Sequence, residues 1–483
     1  MNKRFFAFLS MAIGPYLILS IAQPDHYKVM AIFISIVMMW FTEIVPLAVT
    51  GLMVPLLAIL YGAVSTKEAF APFGNQILFL FMGSFFIAKA MEKHGWDKRM
   101  AYTFLSSSFG AKSLQGVLVQ VALICWILSM WISNTATCAI VVPIILGLMD
   151  TLKDNLKENK HQENLQTSFL LTAAFASSIG GMATPVGSPP NLMAIQFLKN
   201  KGINISFLEW MGYGLPVSLA MLGALILILK WRYPLPKVEL KEVRKLFKVE
   251  LESLGKTKKT EWQIMAVFLM AVILWILPGV LTLILPLHLQ PMAQSIQDAL
   301  PMGGVGVLAS AFLFVLPGNK PGETNLSWSE ANTIDWGTIW LFGGGLAMGS
   351  LLDKSGLAAD VGGLLFGGGI NFYLLALIVI MTGVILSEFS SNTASTAILV
   401  PLLLGSLSIW GEVHTTSLII AAAFGASFGF MLPVSTPPNA IVFGTGKLPL
   451  KEMIKTGSLF DVTGIAIIWL FLSLGLIFRI TFY

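Results

Sequence analysis

Residues 128–143 read LSMWISNTATCAIVVP, and residues 386–401 read LSEFSSNTASTAILVP. Each stretch carries Ser-Asn-Thr, at 133–135 and 391–393, between apolar runs. Each is followed by a second marker, TPVGSPPN at 184–191 and LPVSTPPN at 432–439. Asn134 stands 57 positions before Asn191, and Asn392 stands 47 before Asn439. The difference is mostly a hydrophilic insert, DTLKDNLKENKHQENL at 150–165. One Ser-Asn-Thr would read as an ordinary polar kink. Two copies, each with a downstream Pro-Pro-Asn, read as a paired binding site.

The surrounding composition sets the solvent. Of 483 residues, 56% are hydrophobic and 11% charged, against about 25% charged in a soluble domain. So much apolar surface requires lipid. Alternating polar and apolar strands are absent, which leaves helices as the spanning element. The net charge of +5 does not indicate nucleic acid, because the basic residues fall in short loops. Cys125 and Cys138 lie in apolar stretches and read as small buried side chains. His26, His94, His161, His288 and His414 have no ligand spacing, so no metal site follows from them. The N-terminal MNKRFFAFLSMAIGPYLILSIAQ lacks a convincing cleavage site and reads as a retained first span.

At roughly 20 apolar residues per span, eleven are expected: 5–22, 27–45, 46–62, 75–92, 166–200 (interrupted), 210–231, 262–282, 296–317, 336–352, 415–446 (interrupted) and 458–480. The stretches around the tripeptides, 114–149 and 370–411, read as re-entrant hairpins of two half-length helices. With the N-terminus cytoplasmic, this arrangement puts 24 of 30 Lys and Arg on the cytoplasmic side and the C-terminus outside. Lys28, Lys67, Lys199, Lys201, Lys354 and Arg479 fall outside. Counting either hairpin as one crossing reverses everything downstream.

The only long polar segment is WRYPLPKVELKEVRKLFKVELESLGKTKKTEWQ, 231–263. Leu240, Val243, Phe247 and Leu251 recur at helical spacing there, which fits either a cytoplasmic amphipathic arm or a solvated linker. It is too short for a catalytic domain. FLFMGSFFIAKAMEKHG (79–95) parallels LFGGGLAMGSLLDKSG (341–356). In the topology above the first hairpin opens to the cytoplasm and the second to the outside, so the repeat is inverted, a transporter signature that locates the site near the midplane. The expected organisation is scaffold helices 1–110, a transport region 111–205, span six with the arm 206–261, scaffold helices 262–368, a second transport region 369–446 and a last span 447–483.

At a re-entrant tip the freed backbone groups need partners or a wet cavity. Ser, Asn and Thr cap helix N-termini. Helices beginning after Thr135 and Thr393 would aim positive dipole ends at the midplane. Amides and hydroxyls add neutral donors, so the tips suit an anion without a buried Arg. The same turns expose carbonyl oxygens fit for sodium. Pro189-Pro190 and Pro437-Pro438 stop helix in spans five and ten. Glu388 is an intramembrane charge, functional or structurally paired, and Glu43 sits at a span end. GTGK at 444–447 lacks the rest of a Walker pattern, and no HExxH or nucleophile elbow occurs. An intramembrane enzyme is therefore disfavoured. A channel is disfavoured too, since two capped hairpins suit an occluded site.

On WFTEIVPLAVTGL, SMWISNTAT, VGSPPNLMA, LFGGGLAM, SEFSSNTAS and FMLPVSTPPNAIVFGTG, nearly the whole chain resembles the divalent anion/sodium symporter (DASS, INDY-type) family. The resemblance implies an all-α, eleven-span elevator transporter, homodimeric, in the bacterial plasma membrane, without a cofactor. It implies C4-dicarboxylates (succinate, malate, fumarate, 2-oxoglutarate), citrate or sulfate as substrates, and sodium as coupling ion. By matching motif, a first sodium site uses Ser129, Ser133, Asn134 and Gly187, and a second uses Ser387, Ser390, Asn392 and Ser435. Substrate touches Ser133, Asn134, Thr135 and Ser188, then Ser391, Asn392, Thr393 and Thr436. Ser387, Ser390 and Ser435 stand where some members have Thr, Ala and Ala; carbonyl ligation survives these changes. Some members exchange dicarboxylates without sodium, which leaves exchange as an alternative to symport.

Overall fold

Each expected span coincides with a helix or a broken pair. The structure, a computed structural model, describes residues 3–22, 26–107, 113–153, 156, 158–366, 369–475 and 477. The spans are Lys3–Ala22, Tyr27–Thr42, Leu47–Leu60, Gln76–His94, Asn159–Gly181 with Pro189–Asn200, Phe207–Arg232, Lys259–Ile284, Met302–Val315, Trp336–Ser355, Leu407–Ala426 with Pro437–Gly444, and Leu450–Ser473. Among the described residues seven helices are by themselves long and apolar enough to cross a bilayer, and two of these, Asn134–Leu152 and Phe372–Phe389, belong to the stretches expected as hairpins of half-length helices. No strand occurs among them beyond a single bridge between Pro317 and Thr324. Lys112, Lys157 and Arg479, counted in the charge bias, lie outside the described residues.

Three boundaries differ from expectation. The segment expected as one span at 296–317 is a bent pair, Gln290–Ala299 and Met302–Val315, meeting at 52°. Pro301 caps the second helix and cannot continue the first. The second hairpin ends at Leu404, because Leu407–Ala426 already begins the next helix across a kink at Gly411, whose φ is 73°. The hairpin helices are also longer than half-spans: Leu114–Ser129 has 16 residues, Asn134–Leu152 has 19, Phe372–Phe389 has 18 and Asn392–Leu404 has 13.

The repeat is visible in local chemistry. Asn75 caps Gln76–His94 by accepting from the Ile77 amide, and Asp335 caps Trp336–Ser355 by accepting from the Thr338 amide. Both helices end on a left-handed glycine, Gly95 at φ 71° and Gly356 at φ 83°, where a Cβ would be strained. A short helix follows each, Trp96–Leu105 and Leu357–Phe366. Glu43 is exposed at the left-handed end of Tyr27–Thr42, as its span-end reading requires.

Helices of opposite halves are pressed together at glycines. A Cβ on Gly83 would lie 2.4 Å from the backbone of Gly306, and one on Gly344 would lie 2.4 Å from Gly51 Cα. Small residues let helix backbones approach closely in lipid. Gln76–His94 thereby packs on Met302–Val315, and Leu47–Leu60 on Trp336–Ser355. Side chains such as Ile21, Leu227, Ile273 and Val315 stay outside this packing and are exposed.

The polar segment forms the helix Lys241–Ser253. Leu240, Val243 and Phe247 are buried, and Leu251 partly so, because the helix packs on Trp96–Leu105 and on Asn134–Leu152. Arg99 holds the following turn through the carbonyls of Leu254 (3.1 Å) and Gly255 (3.0 Å) and pairs with Glu261. The segment is thus a docked arm and not a solvated linker.

Candidate functional site

At the first tip Ser133 is extended (φ −62°, ψ 148°) and its Oγ accepts from the Ala136 amide at 3.2 Å. At the second, Ser391 (φ −74°, ψ 148°) accepts from the Ala394 amide at 3.1 Å. The serine hydroxyl is therefore the cap, and helix begins at Asn134 and Asn392. That corrects the expected start after Thr135 and Thr393. The asparagines occupy the first helical position. Thr135 is exposed, whereas Thr393 is buried.

Each asparagine is held by a serine five positions earlier. Ser129 Oγ donates to Asn134 Oδ1 at 2.6 Å, and Ser387 Oγ donates to Asn392 Oδ1 at 2.7 Å. Both serines are fully buried. The second markers supply another matched pair. Asn191 Nδ2 donates to the carbonyls of Gly181 and Thr184, each at 2.8 Å. Asn439 Nδ2 donates to those of Gly429 (2.7 Å) and Leu432 (2.9 Å). These amides satisfy carbonyls left open where Asn159–Gly181 and Leu407–Ala426 break off. The proline pairs sit in the first turn of Pro189–Asn200 and Pro437–Gly444. They start new helices, because a missing amide costs nothing at that position, and so do more than stop the old ones.

In the first half a Cβ on Gly181 would lie 2.4 Å from Asn134 Oδ1 and 2.9 Å from the Gly187 carbonyl oxygen. One on Gly187 would lie 3.0 Å from the Ser129 carbonyl oxygen. Ser129, Asn134 and Gly187 are thus brought together: oxygens of Asn134 and Gly187 face Gly181, and the Ser129 carbonyl faces Gly187. Ser133 is half-buried in its cap, and Ser188 is buried. In the second half Gly429 is the centre: a Cβ there would lie 3.1 Å from Ser435 Cβ and from Thr436 Cγ2, and 3.4 Å from the Ser387 carbonyl oxygen. Asn392 Nδ2 reaches the Ser427 carbonyl at 3.3 Å. Ser390 is buried beside this cluster, and Ser391 is half-buried in its cap.

The halves interlock. Asn134–Leu152 packs on Pro437–Gly444, and Pro189–Asn200 packs on Asn392–Leu404. Met193 and Ala397, early in the latter two helices, both press on Gly345, at 2.3 and 3.0 Å from where its Cβ would stand. Four helix N-termini are thereby grouped as two crossed pairs. No Lys or Arg occurs in 129–143, 181–198, 385–401 or 427–446. The buried oxygens of Thr137, Ser188, Asn191, Ser390, Thr436 and Asn439 have no hydrogen-bond partner. Buried polar atoms are rarely left so, and these lie along the two tips and the two second markers. The arrangement offers dipole ends and neutral donors to an anion, and carbonyl and amide oxygens to a hard cation.

A family model described as the sodium:sulfate symporter transmembrane region matches residues 6–478. The chain belongs to that family. It is the divalent anion/sodium symporter family, one of membrane transporters and not of enzymes. The sodium-dependent dicarboxylate transporter SdcS of Staphylococcus aureus strain USA300 is 34% identical over 442 residues, covering 89% of this chain and 82% of the relative. SdcS of strain N315 gives the same figures. Among solved structures, the Alcanivorax borkumensis YdaH transporter aligns with a TM-score of 0.54 at 15% identity, over 84% of this chain and 85% of that one, a likeness of fold.

In this chain Glu388 is fully buried at the end of Phe372–Phe389. Ser435 Oγ donates to its Oε2 at 2.7 Å and to its carbonyl at 2.9 Å, and the Met431 amide donates to its Oε1 at 2.9 Å. Asp461, buried in Leu450–Ser473, lies against it. The sequence reading passes over Asp461, although an acidic residue in an apolar span is itself a signal. It also passes over Gly181, which only the structure sets against Asn134. Cys125 and Cys138 are free and buried, and no group of three His, Cys, Asp or Glu side chains could hold a metal among the described residues.

Proposed function

We propose that the chain is a sodium-coupled transporter of small dicarboxylates such as succinate, malate, fumarate or 2-oxoglutarate. The observation that carries this is the pair of matching half-sites, each with a capped tip, a crossed helix N-terminus and no basic side chain. A solute with two carboxylates meets two such half-sites, one per carboxylate; a single tetrahedral sulfate does not need both. Ser133, Asn134, Thr135 and Ser188 would face one carboxylate, and Ser391, Asn392, Thr393 and Thr436 the other. Sodium would take oxygens from Ser129, Ser133, Asn134 and Gly187 in the first half, and from Ser387, Ser390, Asn392 and Ser435 in the second. The name of the Staphylococcus aureus relatives, sodium-dependent dicarboxylate transporters, supports the same reading.

We infer an elevator movement, which the packing supports. Regions 111–205 and 369–446, with the spans Phe207–Arg232 and Leu450–Ser473, form the travelling unit. The glycine-pinned helices form the fixed frame of a homodimer. The N-terminus is cytoplasmic and the C-terminus outside. The test is uptake of labelled succinate into proteoliposomes, with and without an inward sodium gradient and with competing anions. Sodium-driven uptake blocked by malate and fumarate but not by sulfate is expected. Uptake that ignores sodium and needs internal dicarboxylate would establish exchange instead.

A further inference from the structure

We propose that the chain binds one anionic phospholipid at the foot of the helix Lys259–Ile284, in a cavity shared with the first hairpin. The cavity measures about 460 Å³, within the roughly 300–1,000 Å³ of small-molecule sites. Three helices line it: Phe104 stands on Trp96–Leu105, Ile124 and Ile127 on Leu114–Ser129, and Met265 on Lys259–Ile284. It shares no residue with the paired site.

The polar end of the cavity is positively charged. Arg99, Thr257 and Glu261 line it there. Glu261, the only acidic lining residue, is taken by Arg99, whose guanidinium also binds the carbonyls of Leu254 and Gly255. Lys256, Lys258 and Lys259 flank Thr257 in the chain, and Lys98 precedes Arg99. All four lysines are exposed, and none is in an ion pair among the described residues. Residues 96–105 and 254–263 together carry five basic and two acidic side chains.

The apolar part adjoins lipid. Trp262, Ala266, Leu269 and Ile273 are exposed and recur on one face of Lys259–Ile284. On a span that face meets acyl chains, and Trp262 also lines the cavity. Trp96, a second lining tryptophan, packs on Phe268 with ring centres 5.9 Å apart. Tryptophans sit at headgroup level. In the orientation proposed above this end is cytoplasmic, and basic pockets between spans on that side hold anionic headgroups. A soluble anion has no use for the apolar walls, and an uncharged oil has none for the lysines. Ile127 stands two residues before Ser129, whose hydroxyl holds Asn134. A lipid seated there braces the helix that carries this serine without entering the paired site.

The inference takes only its side of the membrane from the proposed function, and its test needs no transport. Native mass spectrometry is run on the purified full chain with equal amounts of phosphatidylglycerol and phosphatidylcholine of matched acyl chains. Wild type should retain one phosphatidylglycerol per protomer, on the order of tenfold over phosphatidylcholine, since each basic side chain near an anionic headgroup is worth about fivefold in affinity. Lys256→Gln, Lys258→Gln and Lys259→Gln combined should erase that preference. Met265→Trp, which fills the cavity, should lower retention of both lipids. Equal retention of the two lipids by wild type overturns the site. So does a preference unchanged in the lysine variant, or unchanged retention in folded Met265→Trp. Displacement of the lipid by glycerol phosphate alone would replace the lipid with a free phosphate and overturn the proposal. The three lysines are exposed, so their variant keeps the test open even where Met265→Trp does not fold. Absent succinate uptake with phosphatidylglycerol bound would sink the transport reading and leave this site intact. Sodium-driven uptake with no phosphatidylglycerol retained would do the reverse.

Discussion

Cys138 sets its Sγ 3.6 Å from the carbonyl oxygen of Pro438, 300 positions away in the chain. Cys138 is in the second turn of the helix that leaves the first tip, and Pro438 is in the first turn of the helix that leaves the second Pro-Pro-Asn break. Each tip is thus completed by the other half's break. On the proposed function, a solute between the tips would meet groups from four separate stretches of sequence.

Asn134→Ala and Asn392→Ala each remove an amide pinned by one serine. A hydrogen bond to a charged group is worth about 1.5–3 kcal/mol. Each variant should therefore lose on the order of tenfold to a hundredfold in apparent succinate affinity, and Asn134→Ala should also cost about 1–3 kcal/mol of stability, because the buried Ser129 hydroxyl loses its acceptor. Wild-type uptake by either would refute the paired site.

Gly181→Ala should abolish sodium-stimulated uptake, because the new methyl would stand 2.4 Å from Asn134 Oδ1 and displace it. Gly147→Ala is the control. Nothing lies within 4 Å of a Cβ there, so the change should be neutral or stabilise by up to about 1 kcal/mol. Equal behaviour of the two in uptake and thermal unfolding would contradict the close approach at Gly181.

Asn191→Asp replaces a double donor with an acceptor against two carbonyls, and Asn439→Asp does the same in the other half. Each should cost about 2–4 kcal/mol and lower the melting temperature in detergent by several degrees. An unchanged melting curve would mean that the amides do not hold the breaks.

Asp97 opens the short helix Trp96–Leu105 beyond the span Gln76–His94. Burial pushes its carboxyl up to about 6 from 3.8, against the opposing Lys98 amide bond. The folded state thus holds the proton more tightly than the unfolded chain. The stabilisation is full below pH 3.8 and is lost as pH rises through about 6. Asp97→Asn should flatten that slope and raise stability at pH 7 by up to about 3 kcal/mol. Melting temperatures across pH 4–7 that fall in parallel for both proteins would exclude this origin.

Lys201, just past Pro189–Asn200, pairs with Asp353 in the last turn of Trp336–Ser355. On the proposed elevator movement, the pair would join the travelling unit to the frame. Lys201→Cys with Asp353→Cys, bridged by a bifunctional thiol reagent, should stop uptake, and reductive release should restore it. The native cysteines are buried and should not react. Full uptake by the bridged protein would exclude relative motion there.

Most of the architecture was legible because lipid imposes one rule, long apolar helices, on the whole sequence. The tips were legible because Ser-Asn-Thr and Pro-Pro-Asn are polar marks in apolar text. Helix starts at the tips shifted by two residues because the serine hydroxyl, and not the threonine, takes the capping bond. The bend before Met302 was missed because the apolar run from Met302 was extended back through Pro301, Asp298 and Gln297, which mark the break. Asp461 was passed over because its partner, Glu388, is 73 positions away in the chain, and nothing local marks their meeting.

The glycine contacts between helices of the two halves bear on how the protein is made. Gly51 waits for Gly344, and Gly83 for Gly306, so the early spans leave the ribosome long before their partners exist. Until the second half is inserted, those grooves can hold only lipid. Assembly must finish late and all at once, and a truncated first half should be recognised by the cell as unfinished.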